Sequence, residues 1–210
     1  FNINYRLVPD VTVNQQLQDV ARALRWIRDH GSQYPCDMRN IMLTGDSAGG
    51  QLAAYSAVLM QSSQLRKTFD TVDSQMELTA LLLTSPVAFM RDGGLFSLYT
   101  KPMWGTDYKD KATYPYMDFD QIIDYAQALP PTYLITSSGD TLANKQTHRL
   151  YEVLQAHGVQ AEIKDYAKAE YNQSLPHVFS VLQPFEPAGT AAIDKALAFY
   201  QQAMTAKAAQ

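Results

Sequence analysis

The residues with the clearest chemical potential are a serine and the glycines around it. Residues 45–50 read Gly-Asp-Ser-Ala-Gly-Gly, which places Ser47 at the centre of a G-x-S-x-G pattern. The short apolar run Asn40–Thr44 before it predicts a buried strand, and the alanine- and leucine-rich stretch 51–60 after it predicts a helix. Glycines avoid a steric clash at such a sharp strand-to-helix turn, which lifts the serine hydroxyl above the edge of the sheet. This arrangement is typical of a serine nucleophile.

The residues next to the serine have their own expected roles. The backbone N–H of Ala48, at the helix N-terminus, can face an anionic oxygen that develops during acyl transfer. The other residues of the predicted nucleophile elbow are Gly45, Asp46, Gly49 and Gly50. The alternative interpretation is a glycine-rich turn that only packs a helix on a sheet, but packing does not require serine at its apex.

A serine nucleophile needs a base, and the sequence offers four histidines. His30 and His157 are expected in the last turns of helices, where a cation compensates the helix dipole. His148 lies among polar residues on a predicted helix. Only His177 falls in a predicted loop after the last strand, so it is the candidate base. A loop histidine can also be simple polar surface.

The candidate acid is Asp140, which follows a strand-like run and so lies at the carboxyl end of a predicted strand. Catalytic groups gather at that end of open α/β sheets. Asp140 could instead cap the helix that follows, and Asp165 and Glu170 are rival acids nearer to His177. The chain order serine, aspartate, histidine is that of α/β-hydrolases and not that of chymotrypsin or subtilisin.

The elements around these residues alternate between strands and helices. This alternation predicts an α/β fold with a mostly parallel sheet and helices on both faces. We expect one domain over residues 1–210. The predicted strands are 1–7, 40–44, 78–83, 131–136 and 160–166, and the predicted helices are 17–30, 51–60, 147–157 and 191–204.

Composition limits the classes of protein that remain. The 210 residues carry a net charge of -4 and 46% hydrophobic residues, which fits a globular chain and argues against a nucleic-acid partner. No apolar run is long enough to span a membrane. A single cysteine, Cys36, excludes an internal disulfide and a cysteine-based zinc site, and it favours a cytoplasmic location.

Together these residues resemble a known family. The stretch 4–10, Asn-Tyr-Arg-Leu-Val-Pro-Asp, the elbow at 45–50, Asp140, and His177 two residues before Phe179 are similar to the hormone-sensitive-lipase-like branch of the α/β-hydrolase fold. The resemblance implies a carboxylesterase that acts on small or medium acyl esters without a cofactor or metal. It assigns Ser47 as the nucleophile, His177 as the base and Asp140 as the acid.

The chain also departs from that family. The family carries a His-Gly-Gly-Gly stretch that supplies most of the oxyanion hole, and this sequence has none. We therefore expect the chain to be the C-terminal portion of a longer protein, with the first strands and the remaining oxyanion donors upstream of Phe1. An apolar sheet edge exposed in this way would favour a homo-oligomer. Asn144 stands near a place where the family usually has an acid.

We expect residues 87–125, which are rich in aromatic side chains, to form a cap insertion. These rings can form an apolar wall for the acyl or alcohol group, or can pack the core of the cap itself. They are Phe89, Phe96, Tyr99, Trp104, Tyr108, Tyr114, Tyr116, Phe119 and Tyr125.

Two alternatives to an esterase stay open at this point. An amidase or peptidase of the same fold would use the same residues. A binding protein with a hydrolase fold would usually lack the base, whereas all three candidate residues are present here.

Overall fold

The computed structural model describes residues 1–91 and 98–209. The strands are β1 (Met42–Asp46), β2 (Ala80–Thr84), β3 (Thr132–Ser137) and β4 (Ala161–Tyr166). The helices are α1 (Val13–His30), α2 (Ala48–Gln61), α3 (Ser63–Phe69), α4 (Thr100–Trp104), α5 (Asn144–Ala156), α6 (Lys168–Tyr171), α7 (Phe179–Leu182) and α8 (Pro187–Ala208). Short 3₁₀ turns lie at Gly31–Gln33, Tyr108–Asp110, Tyr114–Tyr116, Phe119–Gln121 and Ile123–Tyr125.

The four strands form one parallel sheet in the order β1-β2-β3-β4. Parallel neighbours cannot be joined by a tight hairpin, so each connection must contain a crossover. Because all strands run the same way, the ends of β1, β2 and β3 meet at one edge. The predicted parallel α/β sheet is confirmed.

Two long helices cover opposite faces of this sheet. The alanine-rich α8 packs with Phe199 against Tyr133 and Ile135 of β3. Thr136 of the same strand accepts a hydrogen bond from Asn144 of α5 at 3.5 Å. Neighbouring residues of a strand point to opposite faces, so α5 and α8 lie on different sides.

The strand before the serine differs from its prediction as a buried strand. β1 is only half-buried, and Thr44 at its centre is exposed, whereas every residue of β3 is buried. The reason is positional, because β1 is an edge strand of this sheet and β3 lies inside it.

The predicted strand at residues 1–7 is wrong. This segment forms no strand, and within it the polar groups of Arg6 bind α1. The backbone N–H and the guanidinium of Arg6 bind the carboxylate of Asp19, and the Arg6 carbonyl accepts from the Gln16 amide. Apolar composition predicts a strand only where a partner strand is at hand.

The chain divides into two compact units. The first comprises Phe1–Arg39, Tyr55–Glu77 and Phe89–Ala128, and the second comprises Asn40–Ala54, Leu78–Ala88 and Leu129–Gln210. The second unit contains the whole sheet. Among the described residues, no helix combines the length and the apolar character needed to cross a membrane.

Candidate active site

The candidate nucleophile lies between β1 and α2, as predicted. Ser47 has a φ of 52°, in the left-handed region that non-glycine residues rarely adopt. Its N–H donates to the Thr84 carbonyl at 3.0 Å, and its carbonyl accepts from the N–H groups of Gln51 and Val87. The strained backbone is therefore held from both sides, which is how such strain persists in a folded protein.

Two glycines of the elbow are required by close contact with neighbouring residues. A Cβ on Gly45 would lie 2.2 Å from the Gly49 carbonyl oxygen, and a Cβ on Gly50 would lie 2.9 Å from the Pro86 Cβ. The strand and the helix can meet at this angle only without a side chain on Gly45, and the turn after β2 can approach α2 this closely only without one on Gly50. Asp46 ends β1, and Gly49 lies in the first turn of α2.

The candidate base stands on a loop that is tied to the end of β3. The Ser137 hydroxyl donates to the Leu175 carbonyl at 2.6 Å, two residues before His177. A Cβ on Gly139 would lie 2.6 Å from the same carbonyl oxygen, so the two segments pass in close contact. This contact fixes the height of His177 above the sheet.

The candidate acid is the most enclosed of the three residues. The Asp140 side chain is 0% exposed. Its Oδ1 accepts hydrogen bonds from the N–H groups of Leu142 and Ala143, at 3.0 and 2.9 Å. Burial acts to raise the pKa of Asp140, but the hydrogen bonds from His177 and Ala143 outweigh burial and hold that pKa below its ordinary value.

The structure brings these three side chains into one hydrogen-bonded line. His177 Nδ1 lies 2.9 Å from Asp140 Oδ2, and His177 Nε2 lies 2.9 Å from Ser47 Oγ. With the proton on Nδ1 facing the carboxylate, Nε2 is free to accept the proton of the serine hydroxyl. The imidazole is 24% exposed, so one side of the line is open to solvent.

The other histidines and acids are engaged elsewhere. Nδ1 of His30 and of His157 each contacts a carbonyl oxygen of its own last helical turn. The rival acid Asp165 lies 2.9 Å from His148 Nε2, and the rival Glu170 pairs with Lys164. His148 thus contacts a carboxylate, while its side chain stays 43% exposed.

The other predicted positions near the site are Ala48 and Asn144. Ala48 is the first residue of α2, so its N–H has no acceptor within that helix. Asn144 donates its amide to the Ser137 carbonyl and to Asp165, which braces the loop that carries Asp140. The described residues contain no group of three or more His, Cys, Asp or Glu side chains placed to bind a metal ion.

The aromatic segment contributes to the packing of the first unit. Phe89, Trp104 and Phe119 are buried there. The Phe119 ring packs edge-on to Tyr55 at 6.0 Å, and the hydroxyls of Tyr116 and Tyr125 lie 3.1 Å apart. Residues 92–97 of the predicted cap, which include Phe96, lie outside the described residues. The cap over residues 87–125 and its role as a wall of the site stay predictions.

Comparison with known proteins identifies the class. A family model described as the alpha/beta hydrolase fold matches residues 1–175. The chain belongs to this family.

Two curated relatives of the chain have names that describe ester hydrolases. The chain is 27% identical over 201 residues to the probable carboxylic ester hydrolase LipM of Mycobacterium tuberculosis, covering 93% of this chain and 46% of LipM. It is 25% identical over 179 residues to the acetyl esterase of Salmonella choleraesuis, covering 78% of this chain and 52% of that protein. The chain thus spans about half the length of these curated relatives.

A solved structure is similar over almost the whole chain. Esterase B from Lactobacillus Rhamnosis superimposes with a TM-score of 0.88 at 28% identity, covering 98% of this chain and 66% of that one. The same esterase, inhibited by a C4-C4 SN3 tributyrin phosphonate, superimposes with a TM-score of 0.87 at 29% identity, covering 99% of this chain and 68% of that one.

Proposed function

We propose that this protein is a serine carboxylesterase that hydrolyses short- to medium-chain acyl esters through an acyl-enzyme. The observation that carries the proposal is the pair of 2.9 Å contacts that join Ser47, His177 and Asp140. The relatives support the substrate class, since one is named an acetyl esterase and another is inhibited by a tributyrin phosphonate.

The geometry supports one step for each residue. Ser47 Oγ attacks the ester carbonyl carbon while its proton passes to His177 Nε2, and Asp140 holds the imidazole in the right tautomer and stabilises the imidazolium. Collapse of the tetrahedral intermediate breaks the bond to the alcohol oxygen, which takes the proton from Nε2. Water then gives a proton to the same nitrogen and attacks the acyl carbon. Collapse of this second intermediate breaks the bond between the acyl carbon and Ser47 Oγ, Oγ takes the proton back from Nε2, and the carboxylic acid is released.

The negative oxygen of the intermediate needs donors aimed at it. The N–H of Ala48 is one such donor, because it stands at the start of α2 beside the nucleophile, and the helix dipole favours negative charge there. Each such donor is worth roughly 10²- to 10³-fold in kcat. A cytoplasmic location and a homo-oligomer stay predictions.

Substitution of the nucleophile tests the proposal. We expect Ser47→Ala to lower kcat on a chromogenic butyrate on the order of 10⁴-fold or more. A fluorophosphonate probe should label Ser47 in the parent and nothing in the variant. Ser63→Ala is the matched control, because Ser63 is exposed on α3 and should retain both turnover and labelling.

Three results would contradict the proposal. Labelling at another serine, or a variant with most of its rate, would refute Ser47 as the nucleophile. Faster turnover of a matched chromogenic amide than of the ester would favour an amidase or peptidase. Absence of both turnover and labelling in the parent would favour a binding protein.

A further inference from the structure

The carboxylate of the candidate acid has room for one more hydrogen-bond donor. Oδ1 of Asp140 accepts from the N–H groups of Leu142 and Ala143, and Oδ2 accepts from His177. An ionised carboxylate offers about four lone-pair sites. Three donors therefore leave one site open in a fully enclosed position, where an extra donor would have a strong effect.

A serine at the end of the neighbouring strand is placed to fill that position. Ser85 directly follows β2, which pairs with β3 through Thr84 and Ile135. The N–H of Ser85 donates to the Ile135 carbonyl at 2.7 Å. Since parallel strands end at one edge, Ser85 and the loop that carries Asp140 leave the sheet side by side.

Neither packing nor turn preference explains a serine here. Ser85 is 1% exposed, and within the described part of the chain its hydroxyl has no partner at ordinary hydrogen-bond geometry. Its φ of 45° lies in the left-handed region, which favours glycine or asparagine. A buried hydroxyl on strained backbone is unfavourable unless a nearby acceptor uses it.

The same turn also holds the nucleophile. The carbonyl of Thr84 accepts from the N–H of Ser47, and the N–H of Val87 donates to the carbonyl of Ser47. Residues 84–87 thus hold the backbone of the nucleophile while Ser85 lies at their centre.

We propose that Ser85 is a positioning residue whose hydroxyl donates a hydrogen bond to the Asp140 carboxylate and so holds the acid in the orientation that His177 needs. The proposal rests on the esterase function proposed above. Ser85 is also among the groups that lower the pKa of Asp140, although burial acts in the opposite direction. A hydroxyl supplies one donor, which matches the one open position on the carboxylate.

Two measurements on Ser85→Ala test the proposal. We expect kcat on a chromogenic butyrate to fall roughly tenfold with KM unchanged, because the bond orients the Asp140 carboxylate, which stabilises the imidazolium formed in the transition state. Independently of turnover, Ser85→Ala should lower the urea midpoint in the parent, but clearly less in an Asp140→Asn background, because a bond to a charged acceptor is stronger than one to an amide.

Two further variants separate positioning from packing. Ser85→Gly removes the hydroxyl and also relieves the left-handed backbone, so it should lose the same factor in kcat without a loss of stability beyond that of Ser85→Ala. Ser56→Ala is the matched control, because Ser56 is buried and its hydroxyl is also unpartnered within the described residues. It should leave kcat near the parent value.

The outcomes are distinct. Equal shifts of the urea midpoint in the two backgrounds would overturn the proposed bond, whatever the turnover. If the shift of the urea midpoint depends on Asp140 but kcat is unchanged, the positioning role of Ser85 would be overturned. A parent without turnover would contradict the proposed function. The comparison of the urea-midpoint shifts in the two backgrounds would still decide whether Ser85 binds Asp140.

Discussion

Two buried carboxylates, one in each compact unit, have similar hydrogen-bond donors, but their pKa values are shifted in opposite directions. Asp140 in the second unit and Asp118 in the first are 2% and 6% exposed. Oδ1 of each accepts hydrogen bonds from the N–H groups of two consecutive residues. Burial is the largest influence on both, yet the pKa of Asp118 is raised and the pKa of Asp140 is lowered.

The difference between the two sites is a polar side chain. Asp118 accepts from the N–H groups of Met90 and Arg91, and these bonds do not outweigh burial. Asp140 has the same kind of support and also accepts from the His177 imidazole. At Asp118 the backbone donors alone do not outweigh burial, and the charge of Asp120 raises the pKa further, whereas the side-chain donor at Asp140 accompanies a lowered pKa. Only the second arrangement can stabilise an imidazolium.

The largest expected effect is on catalysis. Asp140→Asn should lower kcat on a chromogenic butyrate by about 10⁴-fold, because an amide favours the wrong tautomer of the histidine. Asp118→Asn should leave kcat within a few-fold of the parent, since its hydrogen bonds serve the backbone at Met90 and Arg91. Initial rates at saturating ester measure both. A comparable loss in the Asp118 variant would show that the two carboxylates do not differ in function.

The second effect is on stability, and its sign differs between the two sites. Because the folded pKa of Asp140 is lowered, its stabilising contribution is present above the ordinary pKa of about 4 and is lost as pH falls through the lower folded value. Because the pKa of Asp118 is raised, its contribution is present below about pH 4 and is lost as pH rises through the higher folded value.

Urea unfolding of the parent and the two asparagine variants, from about pH 3 to pH 7, checks these signs. Relative to the parent, Asp140→Asn should become less stable as pH rises, and Asp118→Asn should become more stable. Each unit of pKa shift corresponds to about 1.4 kcal/mol. Slopes of the same sign for the two variants would contradict the comparison.

The sequence predicts the Asp140 site far better than the Asp118 site. Ser47 is marked by a local pattern, and Asp140 by its place after a strand. By contrast, Asp118 pairs with backbone donors 28 and 27 residues away, and no local pattern marks such a pair. Ser85 is equally unmarked, because its significance comes from the strand that lies beside β2.

The secondary-structure predictions also depend on whether an element is marked by a local pattern or needs a distant partner. α3 is missing from the predicted elements because seven residues are too few for a clear period, although Ser62 caps it through the N–H of Leu65. The predicted strand at residues 1–7 failed because strand formation depends on a partner. Elements with their own periodic face, such as α1, were predicted within a few residues of their observed bounds.

The smallest expected effect concerns Asp165, a third carboxylate that also bonds a histidine. Its contact with His148 Nε2 is 2.9 Å, equal to that between Asp140 and His177, but the two side chains are 30% and 43% exposed. Water screens a pair of this kind, and such pairs contribute about 0–1 kcal/mol. Asp165→Asn should therefore lower the unfolding free energy by less than about 1 kcal/mol and leave kcat within about threefold.

His148→Gln is the matched control for this third carboxylate, because it removes the same contact from the other side. It should reproduce the small loss of stability seen for Asp165→Asn, and the double variant should lose little more than either single one. A loss of kcat on the order of 10³-fold in Asp165→Asn alone would mean that Asp165 orients the catalytic base after all. If instead only the enclosed carboxylate affects turnover, then the degree of enclosure, more than the presence of an Asp–His contact, separates a catalytic dyad from a surface pair in this protein.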